Sequence, residues 1–188
     1  VSVLSFYKDR LEPVRINDGI AEDVLVLRRG KTENAKTISD AKILLAPLQT
    51  TIKNGDILHR GNGNSFLVAS KQSPNDADGC TQIQGMRING YVDIIEFRDV
   101  YEDYERVGEE LVTLAKDCPV YFKDVSAQMK MYDAGLLTKT VKKIIVQSSV
   151  PMKLLYRISM NGKDYQVDNI DTAKYMNLLE VQVSEDTR

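Results

Sequence analysis

Few residues in this chain are of types that do chemistry, and their spacing limits what they can do. His59 is the single histidine. A zinc site needs several nitrogen or sulfur ligands, and no second histidine or cysteine lies near it in sequence. As a general base it would need a positioned partner. Its expected place is a partly exposed strand next to a turn. Cys80 and Cys118 are the two cysteines. They are too few for a disulfide framework and read as free thiols. Either could act as a nucleophile only if His59 approached it. Tyr132-Asp133-Ala134-Gly135 has the outline of the Asp-Thr/Ser-Gly of aspartic proteases. It lacks the hydroxyl residue, and one carboxylate does not make a dyad. Neither GxGxxG nor GxxxxGK(S/T) occurs, so no phosphate-cradling loop is signalled. No catalytic, cofactor-binding or metal-binding residue is assigned, no cofactor is expected, and the chain is not read as an enzyme.

The elements around these residues are mostly strands. The chain has 188 residues, 43% hydrophobic and 28% charged, with a formal charge of −2. That composition fits a globular protein and gives no general reason to expect nucleic-acid or membrane binding. No run approaches the roughly 20 apolar residues that span a bilayer. Ser2 to Leu11 reads as a short helix, with Ser2 as N-cap, an apolar stripe of Val3, Leu4, Phe6, Tyr7 and Leu11, and Pro13 beyond it. Too short to be stable alone, it must dock on this chain or on a neighbour.

From Asp23 onward the pattern turns to period two. It predicts strands at Val24–Arg28, Ile43–Leu48, Asp56–His59, Ser65–Ser70, Gln82–Ile88 and Tyr91–Phe97, the last two forming a hairpin about Asn89-Gly90. Gly30–Ala41 and Lys71–Cys80 read as loops. Asp99–Glu110 carries six acids against one arginine and reads as a solvated connector, helical together with Leu111–Ala115. A sharper reading makes it a docking strip for a basic partner. Further strands follow at Val120–Lys123, Val141–Gln147, Leu154–Met160, Lys163–Asp168 and Asn177–Val183, with a long apolar-bearing loop at Asp124–Thr140. The tail Ser184–Arg188 is expected to fray.

The two halves echo each other. Val24–Arg28 matches Val120–Lys123, a long loop follows in each, and Lys42–Leu45 matches Lys143–Val146. Then come two hairpin signals, Asn62-Gly63 and Asn161-Gly162, each followed by aromatic-x-Val. The fold expected is therefore all-β, two small antiparallel barrel or sandwich modules in tandem, with a short N-terminal helix and a short connector. The divisions are 1–22 for the helix and lead-in, 23–98 for the first module, 99–118 for the connector and 119–188 for the second module.

Small barrels of this kind often bind single strands through a basic groove with stacked aromatics. From Pro119 onward ten Lys/Arg stand against eight Asp/Glu, with Tyr121, Phe122, Tyr156 and Tyr165 among them. That is a mild bias and not a polybasic patch. A β-barrel binding module for a protein or a single-stranded nucleic acid is the alternative reading.

The stretch Ile52-Lys53-Asn54-Gly55-Asp56-Ile57-Leu58, with Asn62-Gly63-Asn64-Ser65-Phe66-Leu67-Val68 after it, resembles the head–tail joining proteins of tailed bacteriophages, the head-completion, stopper or neck class. The resemblance covers Ile52–Ser70 well and Met152–Asn169 in part. The second copy lacks the Gly-Asp, and the chain is longer than a single-barrel member. The resemblance implies a small barrel with an inserted loop that assembles as a homo-oligomeric ring in the virion. It implies neighbouring portal, adaptor or tail proteins as partners, non-specific contact with channel DNA and no membrane. By that reading Met129, Met131, Tyr132, Leu136 and Leu137 form an assembly loop. Leu4, Phe6, Tyr7 and Leu11 form a docking helix.

Overall fold

The computed structural model describes residues 3–28, 41–72 and 79–188. Ser2, the expected N-cap, and most of the Gly30–Ala41 and Lys71–Cys80 loops lie outside them. The chain forms two compact units, 1–88 with 175–177, and 89–174 with 178–188. Both are closed antiparallel barrels of six strands. No helix among the described residues is long and apolar enough to cross a membrane.

The first unit opens with the short helix expected there, a 3-10 helix at Val3–Arg10 kinked at Tyr7. Only Leu4 is buried; with Val3 and Leu11 it packs against Leu25, Leu45 and Cys80. Directly after it comes β1 (Glu12–Ile16), a strand hidden in the sequence by its shortness and by Pro13. Val14 and Ile16 point inward, and β1 pairs with both neighbours to close the barrel. The remaining strands are β2 (Ala21–Arg28), β3 (Ala41–Pro47), β4 (Ile57–Arg60), β5 (Ser65–Lys71) and β6 (Cys80–Arg87). Val14, Val24, Leu44, Leu58, Phe66 and Ile83 fill the interior.

The second unit contains β7 (Gly90–Glu102), β8 (Glu105–Asp124), α1 (Ala127–Tyr132), β9 (Lys142–Gln147), β10 (Arg157–Met160), β11 (Lys163–Asp171) and β12 (Leu178–Glu185). Two expectations are corrected here. Asn89-Gly90 is no hairpin: β6 and β7 belong to different barrels, and the dipeptide carries the chain from one to the other. The acidic stretch Asp99–Glu110 is no connector and no helix. It is the outer part of the β7–β8 hairpin, running out to a turn at Asp103-Tyr104. Its charges mask its alternation, because strands exposed on both faces need no apolar period.

The barrels have one topology. The first runs β1-β2-β3-β6-β5-β4 around the ring, and the second repeats this order with β7 to β12. Val24 and Val120 occupy matching inward positions, both fully buried. The third strands match with a slip of one residue relative to the sequence echo. The inward residues are Leu44 and Ala46 in β3, and Ile144 and Val146 in β9, so Leu44 answers to Ile144. In a strand a slip of one exchanges the two faces. Both fifth strands bulge at the same place, between Val68 and Ser70 and between Val167 and Asn169.

The hairpins that mark the repeat differ at their tips. Asn161 (φ 53°) and Gly162 (φ 73°) form the expected two-residue turn between Met160 and Lys163. Asn62-Gly63 sits in a longer loop, with positive φ only at Gly63, and the Asn62 side chain accepts from the Asn64 amide at 3.1 Å.

The missing Gly-Asp of the second copy also finds its place. Gly55 (φ 87°) donates to the Val68 carbonyl at 2.9 Å, and Leu155 (φ 68°) makes the same bond to Val167 at 2.9 Å. A leucine thus stands in a left-handed position that the first barrel gives to glycine, with its side chain 60% exposed. Left-handed backbone costs a non-glycine residue roughly 1–2 kcal/mol, and little packing is lost with this side chain. Leu155→Gly should therefore raise stability by about 0.5–1 kcal/mol after the added unfolded-state entropy is subtracted. A urea midpoint that falls instead would show that Leu155 contributes packing that outweighs the strain.

Candidate functional site

Two features of the second barrel stand out from its wall: the Asp124–Thr140 segment and the β7–β8 arm. The first begins at β8 and turns into α1, whose N-cap Ser126 accepts from the Met129 amide. The segment lies on the outward face of β12 and β9, and its placement depends on polar side chains there. Gln182 accepts from the Leu137 amide at 3.1 Å and the Thr140 hydroxyl at 3.0 Å, and donates to the Gly135 carbonyl at 2.8 Å. Lys143 reaches Asp133 at 2.7 Å and Glu180 at 3.1 Å. Burial alone would lower the Lys143 ammonium, but its bonds to Asp133 and Glu180 hold it above the ordinary lysine value. Asp133 is lowered in turn, chiefly by the bond from Lys143. Lys174 closes the network on Glu180 at 2.6 Å. Together these groups line an open polar cleft of about 440 Å³.

The cleft has a counterpart in the first barrel. A smaller one, about 160 Å³, is lined by Ile43, Ser70, Gln72, Gln82 and Gln84. The matching strand positions in the second barrel hold Lys143, Asn169, Asp171, Glu180 and Gln182. Both clefts lie beside the bulge in the fifth strand, where local twist opens the outer face. One is lined mainly by amides and the other by charges.

Of the five expected assembly-loop residues, Met131 and Tyr132 are well exposed and Leu137 is partly so, while Met129 and Leu136 are half-buried. The four docking-helix residues divide likewise. Leu4 is buried and Leu11 half-buried against the chain's own barrel, and Phe6 and Tyr7 face outward. The structure therefore separates anchoring from presenting residues in both elements, a division that composition does not encode.

The arm is the second feature. β7 pairs with β10 only as far as Ile95, and β8 with β9 only at Tyr121–Asp124. Between Phe97 and Leu111 the ribbon has two strands and nothing else paired to it among the described residues. Its root is held by the chain's last residues, which are ordered where fraying was expected. The guanidinium groups of Arg157 and Arg188 lie 4.7 and 4.2 Å from the Phe97 ring centre. Asp186 accepts from Arg157 at 2.9 Å and from the Arg188 side chain and amide at 3.0 Å. Burial would raise the Asp186 carboxyl, but the bonds from Arg188 and Arg157 outweigh it and hold it at about 2.

His59 is half-buried on β4, its Nδ1 2.8 Å from the Ser65 hydroxyl across the β4–β5 pair. Cys80 and Cys118 are both buried, in different barrels. Burial, with Asp93 and Asp117 nearby, pushes the Cys118 thiol up. Asp133 serves as a tie for its loop. Several basic residues considered for nucleic-acid contact are engaged by carboxylates: Lys142 by Asp124, Lys139 by Asp168, Lys143 and Lys174 by Glu180, and Arg157 by Asp164 and Asp186. Tyr165 is buried, and Tyr156 is buried with its hydroxyl donating to Glu96 at 2.9 Å.

Sequence reasoning missed the Lys143–Glu180–Gln182 network. The available signal was Leu178-Leu-Glu-Val-Gln-Val183, where polar residues alternate with apolar ones on a strand whose outer face turns out to be covered. Compared with known proteins, the chain matches no family model and no curated protein sequence.

Proposed function

We propose that this chain is a structural, ring-forming subunit of a head–tail joining assembly of a tailed bacteriophage, of the head-completion or neck class. It acts by shape and contact and not by catalysis. The observation that carries the reading is the repeated barrel. Each copy closes completely, and each has its long connection between the second and third strands. Closure removes open sheet edges from the barrel wall, so association falls to the connections. In the second barrel that connection is tied at its base by Gln182 and Lys143 and turns Met131, Tyr132 and Leu137 outward. Methionine and tyrosine suit such a surface, one by its adaptability and the other by a large rigid ring. The phage assignment itself rests on the Ile52–Val68 resemblance.

The test is assembly. Light scattering and negative-stain imaging of the full chain, alone and mixed with a phage portal or adaptor ring, should give ring-sized particles for the wild type. Met131→Ser/Tyr132→Ser/Leu137→Ser should keep the wild-type melting temperature and remain outside the ring. A wild-type chain that stays monomeric in both settings would sink the proposal.

A further inference from the structure

The outer half of the β7–β8 arm is built against its own stability. A two-stranded ribbon is marginal in water. Here Glu102 stands directly opposite Glu105, and like charges in that position destabilise a sheet. The turn between them has positive φ at Asp103 (47°) and Tyr104 (69°). That geometry favours Asn-Gly, yet it holds a tyrosine whose side chain is 100% exposed. Where local rules are broken together in this way, function is the usual compensation.

The chemistry of the missing partner can be read from charge and backbone. From Glu96 to Val112 there are seven carboxylates and two arginines. Arg106 is taken by Asp99 and Glu109, and Arg98 by Glu96. Glu102, Asp103, Glu105 and Glu110 have no ion pair among the described residues. The outer edge of β8 over the same span pairs with no strand among the described residues, so its outward amides and carbonyls are open to another chain. Val107 and Leu111, both exposed, add apolar area along it.

We propose that the free edge of β8 from Glu105 to Val112 receives an extended lysine- or arginine-rich segment of a partner protein as a third strand, with Tyr104 as an apolar anchor at the tip. Strand addition gains affinity from main-chain bonds and specificity from alternate side chains. The sign of the arm opposes nucleic acid and anionic membrane. It also opposes pairing of two arms from copies of this chain. This site goes beyond the ring reading, and the peptide experiment below reports on it whether or not rings form.

The experiment uses the full chain and a short fluorescent peptide alternating lysine and valine, followed by anisotropy. A peptide with glutamate in place of lysine is the charge control. The lysine peptide N-methylated at alternate backbone nitrogens is the strand control. Saturable binding of the lysine peptide alone, weakened by salt, is expected. Glu102→Gln/Glu105→Gln/Glu110→Gln should bind roughly tenfold more weakly, a loss on the order of 1.4 kcal/mol. Tyr104→Gly should melt higher and bind several-fold more weakly, a pairing of effects that a purely structural turn residue would not produce. No binding by the wild type, equal binding of the glutamate peptide, full binding of the N-methylated peptide, or unchanged affinity in the triple variant would each overturn the proposal.

Discussion

Lys143→Met is expected to destabilise the second barrel by about 3 kcal/mol, since removing the buried partner of a buried ion pair leaves the other charge poorly compensated. The Lys143 side chain is 5% exposed and Glu180 is 6% exposed. Methionine nearly preserves the volume but leaves the Glu180 carboxylate with Lys174 alone and releases Asp133 from its tie. Two measurements separate the consequences. The urea midpoint reports the buried charge, and hydrogen exchange across 124–140 reports the loop. Adding Glu180→Gln should restore much of the stability, because the stranded charge is then gone. It should not restore the loop's protection, because Asp133 still lacks its partner. A loss under about 1 kcal/mol would place Lys143 among surface pairs, which contribute little. For the proposed assembly role, the variant tests whether outward display of Met131 and Tyr132 depends on the tie beneath them.

Asp186→Asn should cost about 2 kcal/mol at neutral pH, following the gap between an unfolded carboxyl near 3.8 and a folded one held at about 2. The sign follows from the depressed folded value. The unfolded state binds protons first, so the contribution is complete above the unfolded pKa and is lost as pH falls through the folded one. The difference between wild type and variant in urea should therefore be constant from neutral pH down to about pH 5, shrink below it, and vanish only below about pH 2. Asp186 also orients both guanidinium groups against Phe97. Amide exchange in the arm should quicken in the variant, and more at its root than at its tip. A pH-independent difference would mean that the carboxylate contributes by shape rather than by charge.

Much of the architecture follows from the order of residues alone. Alternation in Tyr156–Ile158 and Tyr165–Val167, with Asn161-Gly162 between, leads to one hairpin, because a type I′ turn needs what asparagine and glycine supply; its first strand begins at Arg157 rather than at the expected Leu154, which forms a turn with Leu155. The echo of that stretch near Asn62 leads to two barrels, and their strand orders agree. These are local signals, decided by backbone preference and by which face must be buried.

Tertiary structure decided the rest. Glu12–Ile16 carries too few residues and a proline, and it is a strand only because β2 and β4 pair with it on either side. Asp99–Glu110 reads as a charged linker because a ribbon exposed on both faces has no apolar period; cross-strand pairing of β7 with β8, from Asp99 with Glu109 to Glu102 with Glu105, makes it a hairpin. Lys143, Glu180 and Gln182 look like solvent-facing strand residues until a distant loop covers them. In each case the deciding energy comes from partners far away in sequence, through pairing across strands or charge enclosed by another segment. Such partners leave no mark on the spacing of neighbouring residues.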